Sequence, residues 1–109
     1  MNRVYIAHPF GGKQENVERV QDIITDLIKR NPDVVYISPL HLFGYSYDLV
    51  SWEQGMEWCL EVLSSCDAIV FASDEWKLSK GCCVEMDFAR DKGIDIFMLQ
   101  DYKDVVDLL

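Results

Sequence analysis

The regular alternation of short apolar runs with longer amphipathic segments is the feature that most constrains how this chain folds. The apolar runs cover residues 3–7, 34–37, 68–72 and 94–99, and their β-branched and aromatic side chains are typical of strands. Amphipathic helices are predicted over residues 13–30, from Ser51 onward and over residues 79–92, with a short closing helix over residues 102–109. Strands without polar alternation are covered on both faces, so the pattern predicts a sheet between two layers of helices.

Strands that alternate with helices form a parallel sheet joined by right-handed crossovers. We therefore predict that residues 1–109 form a single three-layer α/β domain with a flavodoxin-like or Rossmann-like sheet. The sheet is expected to have four strands, or at most five, in the order 2-1-3-4. Ligands of such sheets bind beyond the carboxyl ends of the strands, where the strand order reverses. This rule predicts a site where three loops meet, at residues 8–12, 38–47 and 73–79.

The formal net charge of −9 narrows the classes of partner. Proteins that bind nucleic-acid polymers neutralise phosphates with Lys and Arg, so a chain this acidic is not expected to bind DNA or RNA. The charge leaves room for a small anionic ligand held by backbone N–H groups. No apolar run approaches the roughly 20 residues of a membrane span, and the N-terminus leads directly into a strand without a secretory signal.

The four cysteines, at positions 59, 66, 82 and 83, help to predict the cellular compartment of the protein. Their spacing is not that of a zinc ribbon, and the adjacent Cys82 and Cys83 are poorly suited to a disulfide. Reduced thiols are typical of the cytoplasm, which is where we expect the protein to act. We predict no metal site and no cofactor.

The predicted helix over residues 79–92 carries the strongest functional signal, a glutamate on its core-facing side. Ser79 is positioned to cap this helix, and Gly93 to end it. Glu85 shares the apolar stripe of the helix, which is formed by Cys82, Met86 and Ala89. A carboxylate belongs in water, so one on a buried face is either paired or retained for chemistry.

Two interpretations of Glu85 follow from its position. In the structural one, the carboxylate pairs with Arg3, Arg90 or a tyrosine hydroxyl. In the functional one, it acts on a ligand bound at the loops. Burial raises the pKa of a carboxyl group, whereas a nearby helix N-terminus lowers it, so the sequence leaves the sign of the shift open.

Several other residues near the same loops are candidates for ligand contacts. Asn16 lies on the sheet-facing side of the first helix, where it either bonds a loop carbonyl or contacts a ligand. Gly11 and Gly12 precede that helix and favour an anion-binding nest, although they match neither a dinucleotide-binding fingerprint nor a Walker loop. Ser79 is either a cap alone or a cap that also binds phosphate, and Gly81 leaves the backbone open to a ligand.

The two histidines and one aspartate complete the set of candidates. His8 and His41 stand on different loops, so a metal site shared with Cys82 is the weaker interpretation and a contact to phosphate is the stronger one. Asp67 precedes the third apolar run. It either stabilises the entry to that strand or contributes to the site.

Three of these segments together resemble the nucleoside 2-deoxyribosyltransferase superfamily. They are residues 5–12, residues 66–68 and the pattern Ser79-x-Gly81-x-x-x-Glu85-x-x-x-Ala89. They occur in the family's order over nearly the whole chain, and the third is the most specific. The closer similarity is to the nucleoside 5′-monophosphate N-glycosidase branch and to uncharacterised small bacterial and phage relatives.

The resemblance implies a reaction and roles for individual residues. Glu85 matches the nucleophile, which attacks C1′ of the sugar, expels the base and forms a glycosyl-enzyme ester. Tyr5 matches the tyrosine that orients this carboxylate, and Asp67 matches the family's aspartate near the third strand. Ser79 stands where the monophosphate hydrolases carry a phosphate-binding serine and the transferases an aspartate. His8 stands where the family usually has a small residue in its phosphate loop.

Three functions are open on this basis. The first is a nucleotide N-glycosidase or deoxyribosyltransferase that cleaves the base–sugar bond through Glu85. The second is a non-catalytic protein that binds a nucleotide or a nucleotide-derived signal in the same pocket, and the third is a purely structural or partner-binding role. The first two share an expected ligand, a nucleoside or nucleoside 5′-monophosphate. The resemblance also implies a homodimer or a higher homo-oligomer.

Overall fold

A computed structural model describes residues 2–106 as four strands, five α-helices and two short 3₁₀ turns. In chain order the strands and α-helices are β1 (Arg3–Ala7), α1 (Gln14–Arg30), β2 (Val35–Ile37), α2 (Pro39–Phe43), α3 (Trp52–Leu63), β3 (Ala68–Phe71), α4 (Lys80–Lys92), β4 (Asp95–Met98) and α5 (Leu99–Val105). The 3₁₀ turns cover Gly44–Ser46 and Trp76–Leu78. The predicted alternation of strands and helices is confirmed.

The four strands form one all-parallel sheet in the order β2-β1-β3-β4. The register pairs Tyr5 with Ile37 on one side and with Ile69 on the other, and Ile69 in turn with Ile96. This arrangement confirms the predicted strand order 2-1-3-4. The order reverses between β1 and β3, so their carboxyl ends lie side by side at the edge where a ligand site is expected.

Side chains on the two faces of the sheet form two separate cores. On one face, the sheet packs against α1 and α5 in a cluster that includes Val4, Ile6, Val20, Leu27 and Tyr102. On the other face, it packs against α3 and α4 in a cluster that includes Tyr5, Ile69, Leu63, Met86 and Ala89. Because successive strand residues point to opposite faces, Tyr5 faces α4 while its neighbours Val4 and Ile6 face α1.

The ends of α4 follow the signals in the sequence. Ser79 Oγ accepts a hydrogen bond from the N–H of Cys82 at 3.3 Å and so caps the helix. Gly93 has a φ of +71°, the left-handed conformation that ends a helix without a side-chain clash. The start of α3 is capped in the same way, since Ser51 Oγ accepts from the N–H of Gln54 at 3.1 Å.

Two stretches differ from the sequence prediction. Residues 38–48 are predicted to be a loop, but α2 occupies the first part of this segment. Ser38 caps α2 by accepting from the N–H of His41 at 3.3 Å, and Pro39 is the first helical residue, where its missing N–H costs no hydrogen bond. The closing helix begins at Leu99 instead of residue 102. The part of that prediction that concerns residues 107–109 lies outside the described residues.

The described helices are also short in relation to a bilayer. The longest of them, α1, has 17 residues and carries charged side chains in each of its turns. Within residues 2–106, no helix combines the length and the apolar character that crossing a membrane requires.

Candidate functional site

A cleft of about 870 Å³ opens at the carboxyl ends of β1 and β3. It is lined by the loop after β1 with the start of α1, by α2 and the 3₁₀ turn that follows it, by the first two turns of α3, and by the loop after β3 with the start of α4. The three loops predicted to meet therefore do meet, and α3 forms a wall that was not predicted. The volume is in the range of small-molecule binding sites.

Glu85 lies in this cleft with only 5% of its surface exposed. The Tyr5 hydroxyl donates a hydrogen bond to its Oε2 atom. Among residues 2–106, no hydrogen bond reaches Oε1 and no cation forms an ion pair with the carboxylate. Of the partners considered from the sequence, the tyrosine hydroxyl is present, whereas Arg3 and Arg90 do not pair with Glu85.

Burial decides the sign of the pKa shift of Glu85. Removal from water raises the pKa to about 7, and the hydrogen bond from Tyr5 opposes this increase. Tyr5 is itself fully buried, and burial together with the adjacent carboxylate raises its pKa well above the usual value. At neutral pH, Tyr5 is therefore a hydroxyl that donates, while Glu85 is divided between its acid and carboxylate forms.

Cys59 completes this buried group. Its thiol packs against the cluster that contains Tyr5, and burial, followed by the nearby Glu85 charge, raises its pKa to about 11. Burial also raises the pKa of the Cys82 thiol, to about 12. Both thiols are protonated at neutral pH, so neither is an active nucleophile. The sequence places Cys59 on the apolar stripe of α3, a signal that does not separate a core position from a position in the cleft.

The N-terminus of α4 presents polar groups to the same cleft. Ser79 and Gly81 both line it, and Gly81 lies one turn before Glu85 on the same side of the helix. The N–H groups of Lys80 and Gly81 have no carbonyl partner within α4, because they belong to its first turn. A side chain at Gly81 would approach the Met56 sulfur at 3.4 Å. The helix end thus offers a hydroxyl group and backbone donors to a ligand.

The loop after β1 brings Gly11 and Asn16 to the cleft. Gly11 and Gly12 have φ angles of +61° and +73°, a region that favours glycine. Gly12 does not line the cleft, and a side chain there would collide with the Tyr47 ring at 2.8 Å. Asn16 Nδ2 donates to the Phe10 carbonyl oxygen at 2.8 Å, so this residue holds the loop, as in the first of its two predicted roles.

His8 also lines the cleft, but as a buried and neutral side chain. Its Nδ1 lies 2.7 Å from the Pro9 carbonyl oxygen, which can only accept, so Nδ1 carries the proton and Nε2 is an acceptor. Burial lowers the pKa of His8, and the hydrogen bond to Pro9 opposes this change while the Arg19 charge adds to it. A neutral imidazole that accepts at Nε2 is poorly suited to a fully ionised phosphate.

Arg19, which was not predicted as a site residue, supplies positive charge near His8. Its Nη1 donates to Asn16 Oδ1 at 3.1 Å, and the side chain lines the cleft. The sequence feature that could have identified Arg19 as a site residue is its spacing from Asn16. Arg19 follows Asn16 by three residues on α1 and so lies on a neighbouring part of the helix surface.

Asp67 and His41 do not reach the cleft. Asp67 precedes β3 and therefore lies at the amino ends of the strands, on the opposite edge of the sheet. There its Oδ2 accepts from the N–H of Arg3 at 2.8 Å, and its own N–H donates to the Arg3 carbonyl oxygen at 2.9 Å. His41 is exposed on α2, with Nδ1 2.7 Å from Ser38 Oγ and Nε2 2.9 Å from Gln21 Oε1. Neither residue lies beside Glu85.

Charges of both signs surround the cleft. Its charged lining residues are Lys13, Arg19, Lys80, Glu15, Glu75 and Glu85. Within residues 2–106, no three His, Cys, Asp or Glu side chains are grouped as the ligands of a metal ion would be. The arrangement suits a ligand with an anionic group at the start of α4 and an electron-poor carbon atom beside Glu85.

A family model described as a domain of unknown function, DUF4406, matches residues 2–103. This match covers nearly the whole chain. A search of curated proteins finds no significant match. The family description names no activity.

Proposed function

We propose that this chain, which belongs to the DUF4406 family, is a nucleotide N-glycosidase or deoxyribosyltransferase. The observation that carries the proposal is the buried carboxyl group of Glu85, which lines the cleft and receives a hydrogen bond from Tyr5. Burying a carboxylate is costly, and no cation among the described residues pairs with it. A catalytic role explains why a buried carboxyl group is present at Glu85, where it does not stabilise the fold.

In the proposed reaction, an oxygen atom of Glu85 attacks C1′ of the sugar while the bond between C1′ and the base breaks. The electron pair of that bond leaves with the base, which takes up a proton from the solvent, and an ester joins C1′ to the carboxyl group. A water molecule or a second base then attacks C1′, loses a proton to the solvent and releases the carboxylate. Positive charge develops on the sugar during both steps, so an adjacent carboxylate stabilises both transition states.

Tyr5 has the role of a positioning residue in this scheme. Its hydroxyl holds Oε2, which leaves Oε1 of Glu85 for the attack on C1′. Tyr5 belongs to β1, a central strand of the sheet, so its hydroxyl orients the carboxylate before the ligand binds. The same hydrogen bond opposes the effect of burial on the pKa of Glu85, and it therefore raises the fraction of nucleophilic carboxylate.

The start of α4 is the proposed site for a 5′-phosphate. Ser79 provides a hydroxyl group, and the first-turn N–H groups and the helix dipole favour an anion. Gly81 lies four residues, or roughly 6 Å along the helix, from Glu85. The sugar of a nucleotide spans a distance of this order between C1′ and its phosphate. These features favour a nucleoside 5′-monophosphate over an unphosphorylated nucleoside.

We also propose that the protein acts in the cytoplasm as a homodimer or a higher homo-oligomer. Its four cysteines are all unpaired, as is usual for cytoplasmic proteins. Near the mouth of the cleft, the large apolar side chains of Tyr45, Leu49 and Leu78 are mostly exposed, which offers a surface for a second copy. Sedimentation at micromolar concentration tests this point, and a monomer would contradict it.

Release of free base is the test of the proposed reaction. The protein is incubated with a panel of nucleosides and nucleoside 5′-monophosphates, and the products are separated by chromatography. Glu85→Gln keeps the size of the side chain and its ability to accept from Tyr5, but it removes the nucleophile. We expect this variant to fold and to release no base. Unchanged turnover would exclude Glu85 as the nucleophile.

A non-catalytic nucleotide-binding protein is the second candidate function. The observation that favours it is the burial of Glu85, which raises the pKa of the carboxyl group, because a protonated carboxyl group donates hydrogen bonds to a ligand and is a poor nucleophile. Tight binding of a nucleotide by the wild-type protein, without base release on prolonged incubation, would select this function over the enzyme.

A further inference from the structure

The region between the starts of α3 and α4 has features that the proposed chemistry does not use. Trp52, the first residue of α3, lines the cleft and is 40% exposed. Lys80, the first residue of α4, also lines it and holds its Nζ 4.2 Å from the centre of the Trp52 ring. The face of an aromatic ring therefore borders the cleft. The flexible side chain of Lys80 places its ammonium group over that face.

Gly55 lies three residues after Trp52 on the cleft side of α3. A glycine inside a helix lowers stability relative to alanine. A Cβ atom at this position would meet no heavy atom within 4 Å, so packing among the described residues does not explain the glycine. The space beside Gly55 belongs to the cleft, and a methyl group would occupy part of it.

We infer that the base of a bound nucleoside or nucleotide stacks on the Trp52 ring and occupies the space beside Gly55. This inference rests on the proposed function and adds to it the part of the site that holds the base. The Lys80 ammonium group covers the ring until the ligand arrives and then moves away on its flexible stem. Stacking of a base on an aromatic ring is stronger than an exposed cation–π contact, so the exchange favours the bound ligand.

The course of α3 through the cleft suits a base attached to a sugar beside Glu85. The residues of α3 that line the cleft lie on one face of the helix and are Trp52, Gly55, Met56 and Cys59. Cys59 and Glu85 both line the cleft, and Cys59 packs against the cluster that contains Tyr5, which holds Glu85. Seven residues, or roughly 10 Å of helix, separate Cys59 from Trp52. A base directed from Glu85 along this face reaches the gap at Gly55 before it reaches the indole ring.

Trp52→Ala and Gly55→Ala test the inference, with Trp58→Phe as the control. Trp58 lies on the same helix, but it packs against Phe43 with ring centres 5.6 Å apart and does not line the cleft. All three changes are made in a Glu85→Gln background so that no ligand is consumed. The probes are the common ribonucleoside and deoxyribonucleoside 5′-monophosphates, together with ribose 5-phosphate, which lacks a base. Calorimetry measures each affinity.

We expect Trp52→Ala to weaken binding of the best nucleotide about 10-fold, while the affinity for ribose 5-phosphate stays unchanged. Gly55→Ala is expected to weaken nucleotide binding to a similar extent and yet to raise the Tm by about 4 °C, because alanine favours the helix. If Gly55 had only a structural role, Gly55→Ala would not raise the Tm while weakening nucleotide binding. Trp58→Phe should leave nucleotide binding unchanged.

Two results would overturn the inference while leaving the role of Glu85 intact. One is that Trp52→Ala and Gly55→Ala both bind nucleotides as tightly as their Glu85→Gln parent. The other is that they lose as much affinity for ribose 5-phosphate as for nucleotides, which would indicate a general disturbance of the cleft. A third result is distinct from these. If the parent protein, with Trp52 and Gly55 intact, binds none of the nucleotides, both the base site and the proposed function are overturned.

Discussion

Tyr5 and Glu85 are 80 residues apart in the sequence, and they share a hydrogen bond in the interior of the fold. The parallel sheet creates this contact, because β1 is a central strand whose residue Tyr5 faces the same core as α4. The hydrogen bond only partly offsets the cost of burying the carboxyl group, whose pKa stays raised. Stability and the proposed activity therefore depend on the same group in opposite directions.

Glu85→Gln is expected to stabilise the fold at pH 8. The pKa of Glu85 rises from 4.5 to about 7 on folding, so between these pH values the folded protein retains a proton that the unfolded chain releases. The contribution of the neutral group to stability is complete below pH 4.5, and it is lost as the pH rises through 7. A shift of this size corresponds to roughly 3 kcal/mol, and glutamine avoids the loss because it does not ionise.

Urea unfolding at pH 5 and pH 8 measures this effect. The wild-type protein should lose stability between the two pH values relative to Glu85→Gln. The matched control is Glu61→Gln, on the exposed side of α3, which should change the free energy of unfolding by less than about 0.5 kcal/mol. A Glu85→Gln protein that is less stable than wild type at pH 8 would show that the carboxylate form is favoured by the fold.

Base release is expected to increase with pH through the pKa of Glu85. Only the carboxylate attacks C1′, so with a pKa of about 7 the rate at pH 7 should be half of its plateau, and at pH 6 about a tenth. The measurement is kcat/KM between pH 5 and pH 9. A substrate phosphate itself titrates near pH 6, so a nucleoside is measured in parallel. A rate that falls over this range would indicate that Glu85 acts as an acid.

Tyr5→Phe should move that pH profile to higher values. The hydrogen bond from Tyr5 lowers the pKa of Glu85, so removing the hydroxyl group raises the pKa further and reduces base release at pH 7. The same change leaves a buried carboxylate without its donor, at a cost of about 1–3 kcal/mol. This cost should appear at pH 8 and shrink at pH 5, where the carboxyl group is protonated. Tyr45→Phe, at an exposed ring, is the control, and an unshifted profile in Tyr5→Phe would remove Tyr5 from the mechanism.

The sheet and the main functional candidate could be predicted because their signals are local. Uninterrupted apolar runs identify buried parallel strands, and the strand order then follows from handed connections. The cap at Ser79 and the end at Gly93 fix the limits of α4. Within those limits, the helical period alone places Glu85 on the buried side.

The parts of the site that were not predicted depend on whether a given helix face packs against the core or lines the cleft. A helical stripe shows that Cys59 and Arg19 lie on particular faces, but it does not show whether a face meets the core or a cleft. The Ser38-Pro39 pair is a helix-start signal, yet α2 is only five residues long and its apolar period is too short to read. Asp67 illustrates the limit of matching motifs, because a residue that precedes a strand lies at the amino edge of the sheet, away from the site.

Ser79→Asp separates the two roles of Ser79 as a helix cap and as a phosphate ligand. Aspartate caps a helix as well as serine does, and its charge interacts favourably with the helix N-terminus, so the free energy of unfolding should change by less than about 0.5 kcal/mol. The same charge would repel a phosphate bound at the first turn of α4. We therefore expect affinity for nucleoside 5′-monophosphates to fall at least about 10-fold, which is about 1.4 kcal/mol, and affinity for nucleosides to be unchanged.

Ser79→Ala is the matched comparison for this prediction. It removes the hydrogen bond to the N–H of Cys82, so it should lower stability by about 1 kcal/mol without introducing a repelling charge. Calorimetric binding of a nucleoside and of its 5′-monophosphate, together with thermal unfolding, distinguishes the two variants. If Ser79→Asp binds the monophosphate as tightly as wild type, the phosphate does not lie at the start of α4. Arg19, the cation beside the loop after β1, would then be the next group to substitute.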